Sequence, residues 1–257
     1  MSDAPIATTV VDRVLRIEIA RPEKKNALTP PMYAALTEAF RRADADTQIR
    51  VATLTGRGGS FTSGNDLLDF MNTPPAGPES PVIQFLHALA TFTKPLVVGV
   101  QGHAIGIGTT MLAHADIVYA DATAKFQMPF VNLGLCPEGA STFLLPRIMG
   151  PARANALLMF AEPFDAQHAL ACGLLSAVLP NEGFVDAVYA RAAVLAEKPP
   201  VSLRLTKELL RRTTKDAVME AFTEEGTHFL NQLGSEEAAE AFTAFMEKRK
   251  PDFSRFS

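Results

Sequence analysis

The sequence predicts an α/β fold that ends in a helical region. Through residues 10–120, short stretches with strand patterns alternate with stretches of helical period, which is typical of helices packed on sheets. After Lys198-Pro199-Pro200 the strand patterns stop and only helical patterns follow. At 257 residues and 47% hydrophobic content, the chain is long enough to bury a full core. We therefore predict a core over residues 1–199 and a helical region over residues 200–257.

The first elements of the core follow from periodicity and helix capping. Residues 14–19 alternate apolar and charged side chains, the period of a half-buried strand. Thr29 followed by Pro30 is a favourable N-cap and first helical position, and apolar residues then recur at helical spacing. They are Met32, Leu36, Ala39, Phe40 and Ala43. Residues 51–55 predict a second short strand.

The middle of the core combines a loop, a helix and two strands. Residues 73–81 are rich in proline and predict an irregular surface loop, with a helix over residues 82–92. Residues 96–100 predict a buried strand. The glycine-rich run over residues 102–108 leads into a helix, and a further strand over residues 116–120 follows.

Three helices are predicted beyond the core, over residues 201–212, 216–233 and 235–250. The last of them carries Phe242, Phe245 and Met246 on one face. A lone terminal helix cannot hide that much apolar surface. We expect this face to pack on the body of the protein or on another subunit.

The composition excludes several classes of function. The net charge is -4 with a pI near 5.8, and the basic residues are scattered, so there is no electrostatic footprint for nucleic acid. The most apolar tract, residues 96–120, is broken by polar residues and glycines, which predicts buried structure and not a membrane span. We expect neither a nucleic-acid nor a membrane partner.

The expected compartment is the cytoplasm. Cys136 and Cys172 form no CxxC pair and no disulfide framework, which suits a reducing environment. Residues 1–10 lack the basic and apolar regions of a secretory signal, and Arg255-Phe256-Ser257 is not the usual peroxisomal address.

Three segments are candidates for chemistry, and the first is Ser63-Gly64-Asn65-Asp66-Leu67. Its glycine lets the chain bend after a strand and leaves the next N–H free to face a ligand. A plain turn is the alternative, because these residue types cluster in turns for local hydrogen-bonding reasons.

The second candidate is the run from Gly102 to Gly108. A dinucleotide fingerprint needs glycine where Met111 stands, and no Gly-Lys-Ser/Thr follows to make a phosphate loop. The remaining functional hypothesis is an N–H group that joins one from the Gly64 turn in binding an oxyanion. Tight packing of helix on strand is the alternative for this segment.

The third candidate is Glu138, which lies between Pro137 and Gly139 in an apolar segment. A carboxylate that loses solvation there has a raised pKa, in the range useful for a general base near neutrality. An exposed glutamate in a turn is the alternative. No GxSxG, HExxH or zinc-ligand spacing is present in the sequence, and Cys136 has no partner base assigned by sequence.

Four motifs in register resemble the enoyl-CoA hydratase/isomerase (crotonase) superfamily. They are Arg21-Pro22-Glu23-Lys24-Lys25-Asn26-Ala27-Leu28, Ser63-Gly64-Asn65-Asp66-Leu67, Lys94-Pro95 with residues 102–108, and residues 134–139. The resemblance covers roughly residues 10 to 250. The second and fourth motifs together are similar to peroxisomal-type 3-enoyl-CoA to 2-enoyl-CoA isomerases. The resemblance to the superfamily implies a crotonase fold of repeated ββα units, with a carboxyl-terminal helical region that builds trimers, often paired into hexamers.

The resemblance also implies a site. The family's oxyanion hole falls on the backbone N–H groups of Asn65 and Ile107, and the isomerases' single glutamate coincides with Glu138. Enoyl-CoA hydratases place two glutamates where this chain has Thr110 and Phe130. The resemblance therefore favours isomerisation over hydration, with Glu138 as the base.

The implied ligand is an acyl-CoA thioester, and we expect no metal and no cofactor beyond the CoA of the substrate. The candidate contacts are Lys25, Ala27, Ser63, Gly64, Asn65, Asp66, Leu67, Gly106, Ile107 and Phe130. Lys25 is equally interpretable as a solvated lysine. Two alternatives remain: another crotonase-type enzyme, a hydratase or thioester hydrolase with Asp66 as its candidate acid or base, and a non-catalytic CoA-binding oligomer.

Overall fold

The computed structural model describes residues 4–256. The expectation of a cytoplasmic location rested partly on residues 1–10 and 255–257. Of these, residues 1–3 and residue 257 lie outside the described residues. The strands are β1 Ile6–Val11, β2 Val14–Ile19, β3 Val51–Gly56, β4 Leu96–Val100, β5 His103–Ile105, β6 Ile117–Ala120, β7 Lys125–Gln127, β8 Phe164–Asp165 and β9 Ala177–Val178. The helices are α1 Pro30–Ala45, α2 Leu67–Asn72, α3 Pro81–Thr91, α4 Ile107–Thr110, α5 Ser141–Met149, α6 Pro151–Met159, α7 Ala166–Ala171, α8 Phe184–Ala196, α9 Pro200–Arg211, α10 Lys215–Leu233 and α11 Glu236–Met246.

Two sheets organise the core. Six strands form the larger sheet in the order β1-β2-β3-β4-β6-β9, and the smaller sheet has the order β5-β7-β8. In the larger sheet only the β1–β2 pair is antiparallel. The α/β class predicted from the alternation of patterns is therefore confirmed.

Helices cover the large sheet on both faces, and the register of the strands explains how. Val14 pairs with Val51, and both belong to the core cluster built with α8. The next pair, Leu15 and Ala52, belongs to the larger cluster that includes residues of α1 and α3. Because successive side chains point to opposite faces, β3 is buried at every position.

The predicted strands and helices of residues 14–120 are present, with one correction. The run over residues 102–108 was expected to be a turn that leads into a helix, but it contains β5, which pairs in parallel with β7. Three residues are too few to show a strand period in the sequence. The predicted irregular loop is confirmed over residues 73–80, and Pro81 is the first residue of α3.

β1 is an element that the sequence patterns did not reveal. It joins β2 through Asp12 and Arg13, which both have positive φ, 48° and 66°. That conformation is typical of a tight hairpin, but neither residue is the glycine or asparagine that usually marks one.

The three carboxyl-terminal helices were predicted correctly, although α11 ends earlier than expected, at Met246. Polar contacts attach α9 to the core: the Lys207 ammonium donates to the Lys94 carbonyl oxygen at 2.6 Å and to Asp116 at 2.7 Å. Phe242 is buried, whereas Phe245 and Met246 stay about half exposed in the single chain. Within residues 4–256, no helix is long and apolar enough to span a membrane.

Candidate active site

The Gly64 turn carries the first of two free N–H groups. Gly64 has φ +86°, and a Cβ there would lie 2.7 Å from the Ile105 carbonyl oxygen, so only glycine fits without displacement. Its own N–H is not free to bind a ligand, because it donates to the Thr62 hydroxyl oxygen at 3.1 Å. The next N–H, that of Asn65, has no hydrogen-bond acceptor among the described residues.

The second free N–H is that of Ile107, the first residue of α4. The preceding Gly106 has φ 58° and ψ -120°, a conformation essentially restricted to glycine. The first N–H groups of a helix have no partner within it, and in the described part of the chain the Ile107 N–H has no acceptor elsewhere. The glycine turn and the glycine loop therefore each present one donor.

Both donors lie on one cavity of about 670 Å³. Leu67, Phe130, Phe229 and Phe242 supply apolar wall, and Lys24 and Arg249 are the basic residues that line it. A smaller, mostly apolar cavity of about 230 Å³ shares Asn65, Asp66 and Phe70 with the first. A large apolar cavity with a few convergent polar groups is the usual form of a small-molecule site.

Glu138 follows a short 3-10 helix and an irregular turn. Its Oε1 accepts a hydrogen bond from the Thr110 hydroxyl at 2.5 Å, while its Oε2 is buried and has no partner among the described residues. Burial raises the pKa of Glu138 to about 8; the Thr110 bond acts in the opposite direction, and the Glu225 charge adds to the rise. This carboxyl group is therefore a base near neutral pH.

Glu138 is connected to both N–H donors, although it is not among the described residues that line the larger cavity. Thr110, its hydrogen-bond donor, is in the same short helix as Ile107. Tyr33 interacts electrostatically with Glu138. Its hydroxyl donates a hydrogen bond to Asn65 Oδ1 at 2.5 Å. Burial raises the pKa of Tyr33 well above its usual value, and the Glu138 charge raises it further.

His114 holds the turn that carries Glu138. The histidine is buried, stacks on Phe222, and has its Nε2 at 2.7 Å from the Gly139 carbonyl oxygen. A carbonyl oxygen only accepts, so Nε2 carries the proton. Burial lowers the pKa of His114 to about 4, and the imidazole is neutral at pH 7. The sequence analysis did not predict the roles of His114 and Tyr33 or the hydrogen bond from the Thr110 hydroxyl to Glu138. These contacts join residues far apart in the chain, and no local pattern indicates them.

Asp66, the alternative acid or base, has a structural role. Its carboxylate accepts from Arg21 at 2.8 Å and caps α2 through the Asp69 N–H. Burial alone raises the pKa of Asp66, but the hydrogen bond and charge of Arg21 outweigh it and keep the pKa below its ordinary value. An ionised, ion-paired carboxylate at a helix N-cap is a poor proton shuttle.

The predicted contact residues are brought together with one exception. Ala27, Ser63, Gly64, Asn65, Asp66, Leu67, Gly106, Ile107 and Phe130 all line the larger cavity. Lys25 is exposed and is not among the described lining residues; its neighbour Lys24 is. Within residues 4–256 there is no cluster of His, Cys, Asp and Glu suited to a metal ion.

Comparison with known proteins identifies the family. Residues 10–255 match the family described as enoyl-CoA hydratase/isomerase. The chain is a member of that family. An enoyl-CoA hydratase/isomerase crystal structure from Pseudoalteromonas atlantica T6c superposes with a TM-score of 0.94 at 42% identity, covering 97% of this chain and 100% of that one. The predicted crotonase fold is confirmed.

Members of the enoyl-CoA hydratase/isomerase family with different activities resemble the chain. Enoyl-CoA delta isomerase 2 of Homo sapiens is 35% identical over 95% of this chain and 64% of its own length. The 2,3-dehydroadipyl-CoA hydratase of Escherichia coli K12 is 31% identical over 94% of this chain and 95% of its own length. The chain thus spans less than two thirds of the human relative, and family membership alone does not choose between isomerisation and hydration.

Proposed function

We propose that the protein is an isomerase that moves the double bond of a 3-enoyl-CoA thioester to give the 2-trans-enoyl-CoA. The observation that carries this proposal is the carboxyl group of Glu138, whose pKa is raised to about 8, mainly by burial, and whose Oε2 has no partner among the described residues. Its Oε1 is bonded to Thr110, in the same short helix as the free N–H of Ile107. One base and one anion site are sufficient for a proton shift along an allylic system.

The mechanism begins with the thioester oxygen bound by the N–H groups of Asn65 and Ile107. Glu138 Oε2 removes a proton from C2, and the electrons move onto the thioester oxygen as a dienolate. The same carboxylic acid then returns the proton to C4, so that the double bond becomes conjugated with the carbonyl and no proton is gained or lost. Each N–H donor is worth roughly 3–4 kcal/mol of barrier in such sites.

The residues at the two positions where the resemblance places the hydratase glutamates, Thr110 and Phe130, support isomerisation over hydration. Thr110 is fully buried and uses its hydroxyl on Glu138, and Phe130, 6% exposed, presents an aromatic ring to the cavity. Hydration requires a water to be positioned and activated, and neither residue is a base. An apolar wall also excludes water from the dienolate.

The test compares the wild-type protein with Glu138→Gln in converting 3-hexenoyl-CoA to 2-hexenoyl-CoA, with 3-hydroxyacyl-CoA and free CoA followed in parallel. The amide keeps the size of the side chain and cannot take the proton. We expect the variant to lose about a thousandfold or more in kcat, about 4 kcal/mol of barrier. Glu162→Gln, at an exposed position, is the control and should retain full activity.

The other products that the assay can detect would each indicate a different function. Formation of 3-hydroxyacyl-CoA would indicate a hydratase, and release of CoA a thioester hydrolase. Tight binding of CoA esters without turnover would indicate a non-catalytic CoA-binding protein. Equal isomerisation by Glu138→Gln and the wild type would remove Glu138 from the chemistry.

We also infer a homotrimer, or a pair of trimers, as the assembled form. Val201, Leu205 and Leu209 follow one another at four-residue spacing on α9 and are at least 49% exposed in the single chain. Met159 and Phe160 at the end of α6 are each 70% exposed. Apolar surface of this extent is typical of a subunit interface.

A further inference from the structure

Glu225 is an unusually buried carboxylate outside the catalytic turn. It lies in α10 and is 6% exposed, although glutamate is almost never buried unless it is paired. Its Oε1 accepts two hydrogen bonds from Thr142, from the N–H at 2.8 Å and from the hydroxyl at 2.5 Å. The side chain thus joins the carboxyl-terminal helical region to the start of α5.

The helix that Glu225 contacts lacks a cap of its own. α5 begins at Ser141, and its N-cap residue is Ala140, with φ 54° and no side-chain hydrogen bond to the helix. Helix N-termini leave N–H groups unpaired and favour negative charge. Glu225 supplies from another helix both the acceptor and the charge that an N-cap residue would supply locally.

α10 holds the catalytic turn on its other side as well. The N–H of Cys136 donates to Gln232 Oε1 at 2.5 Å, and the Cys136 thiol lies 3.7 Å from the Glu225 carbonyl oxygen. Contacts from one helix therefore occur at residues 136 and 142, on either side of Glu138. Gln232 and Glu225 are about two helical turns apart on α10. Helix α10 therefore holds the segment that carries Glu138 at two points.

The two glutamates also interact through their charges. The Glu225 charge contributes to the raised pKa of Glu138, and burial raises the pKa of Glu225 itself, with the Thr142 bonds acting in the opposite direction. Each carboxyl group has a buried Oε2 without a partner among the described residues. A like charge nearby makes ionisation less favourable, so the Glu225 carboxylate helps to keep Glu138 protonated to higher pH.

We propose that Glu225 is a positioning residue for Glu138: from the carboxyl-terminal helices it fixes the turn that carries the base and places a second carboxyl group near it. The Glu225 carboxylate is engaged by Thr142, at the start of α5, so we infer that it acts through the turn and not on the substrate. The proposal rests on the function proposed above, in which Glu138 is the base.

Two substitutions separate the anchoring role of Glu225 from the effect of its charge on Glu138. Glu225→Gln keeps an acceptor for Thr142 and removes the charge; Glu225→Ala removes both. For Glu225→Gln we expect the acid limb of the kcat/KM profile for 3-hexenoyl-CoA to move to lower pH, with kcat on the alkaline plateau within about threefold of the wild type. For Glu225→Ala we expect kcat to fall roughly tenfold or more with KM within about twofold.

The exposed neighbour provides the matched control, because Glu224→Gln removes the same charge from the same helix without touching the turn. It should leave both kcat and the pH profile unchanged. An unshifted acid limb in Glu225→Gln together with normal kcat in Glu225→Ala would overturn the proposal. If Glu225→Ala does not fold, the pH profile of Glu225→Gln alone decides, and an unshifted limb overturns it.

Hydrogen exchange distinguishes failure of this inference from failure of the proposed function. Faster exchange of the amides of residues 136–142 in Glu225→Ala than in Glu224→Gln would support the anchoring role whatever reaction the enzyme catalyses. Unchanged exchange would contradict it. The role of Glu138 as base is tested separately by Glu138→Gln, whose result does not depend on Glu225.

Discussion

The hydroxyl of Tyr33 donates to the side-chain oxygen of Asn65 over 2.5 Å, and this bond joins α1 to the turn that carries one of the two free N–H donors. Tyr33 is buried, and its ring packs against Phe85 with the centroids 5.5 Å apart. Two constraints, a hydrogen bond and ring packing, therefore fix the orientation of Asn65 relative to α1. A donor that is fixed before the substrate binds costs no reorganisation during the reaction.

Tyr33→Phe tests whether that bond contributes to catalysis. The substitution removes the hydroxyl but keeps the ring that packs on Phe85. We expect kcat for isomerisation to fall about tenfold, with KM within about twofold, since the donor loses alignment with the developing oxyanion. Steady-state kinetics on 3-hexenoyl-CoA measures both. A rise in KM at unchanged kcat would assign Tyr33 to binding alone.

The pH dependence of activity should report Glu138. The base must be ionised to accept a proton, and its pKa is raised to about 8, mainly by burial. We therefore expect log kcat/KM to rise with slope of about one up to pH 8 and to level off above it. A profile that is already flat from pH 6 to pH 9 would contradict this assignment.

Glu138→Gln should be more stable than the wild type at alkaline pH. The folded-state pKa of about 8 exceeds the ordinary value of 4.5, so the folded protein holds a proton that the unfolded chain releases. Stability is then lost as the pH rises through this window. We expect the variant to gain about 1–3 kcal/mol in free energy of unfolding at pH 8.5 and much less at pH 5. Urea denaturation at both pH values measures this, with Glu162→Gln as the control; no gain at pH 8.5 would argue against a buried carboxylate with a raised pKa.

Asp66→Ala should reduce stability more than chemistry. It removes the cap of α2 and the ion pair with Arg21, at a cost of about 1–2 kcal/mol in free energy of unfolding. Because the pKa of Asp66 is lowered from its ordinary value in the fold, the loss should be present at pH 5 and disappear only in more acidic solution. Glu79→Ala, at an exposed position of the nearby loop, is the control. Loss of kcat as large as that of Glu138→Gln would restore Asp66 as a catalytic candidate.

The inferred assembly is tested by Leu205→Glu. A charge on the exposed apolar face of α9 should prevent association, since burying an unpaired carboxylate is costly. We expect the wild type to sediment as a trimer or a pair of trimers and the variant as smaller species. Thr206→Glu, next to it on the exposed surface, should leave the assembly intact. A monomeric wild-type protein would contradict the inference directly.

The parts of the site that sequence could predict are those that depend on local chemistry. Gly64 and Gly106 are required by backbone conformations that other residues rarely adopt, and their spacing from strand and helix is visible in the sequence. Glu138 between proline and glycine in apolar surroundings is visible in the same way. The four motifs in register then predicted the family correctly.

The parts that could not be predicted depend on residues far apart in sequence. Tyr33 and Asn65 are 32 positions apart, and Thr142 and Glu225 are 83 apart. Each of these residues, taken alone, is ordinary in its helix or turn. Their meaning comes from the packing of one helix on another, which no single-segment pattern encodes.

The larger cavity takes part of its wall from α10 and α11, through Phe229, Phe242 and Phe245. These residues follow the glycine turn and the glycine loop in the chain and are synthesised after them. A nascent chain can therefore complete most of its sheet while the larger cavity is still open on one side. A chain that ended before α10 would therefore have a largely formed core and a cavity without this part of its wall.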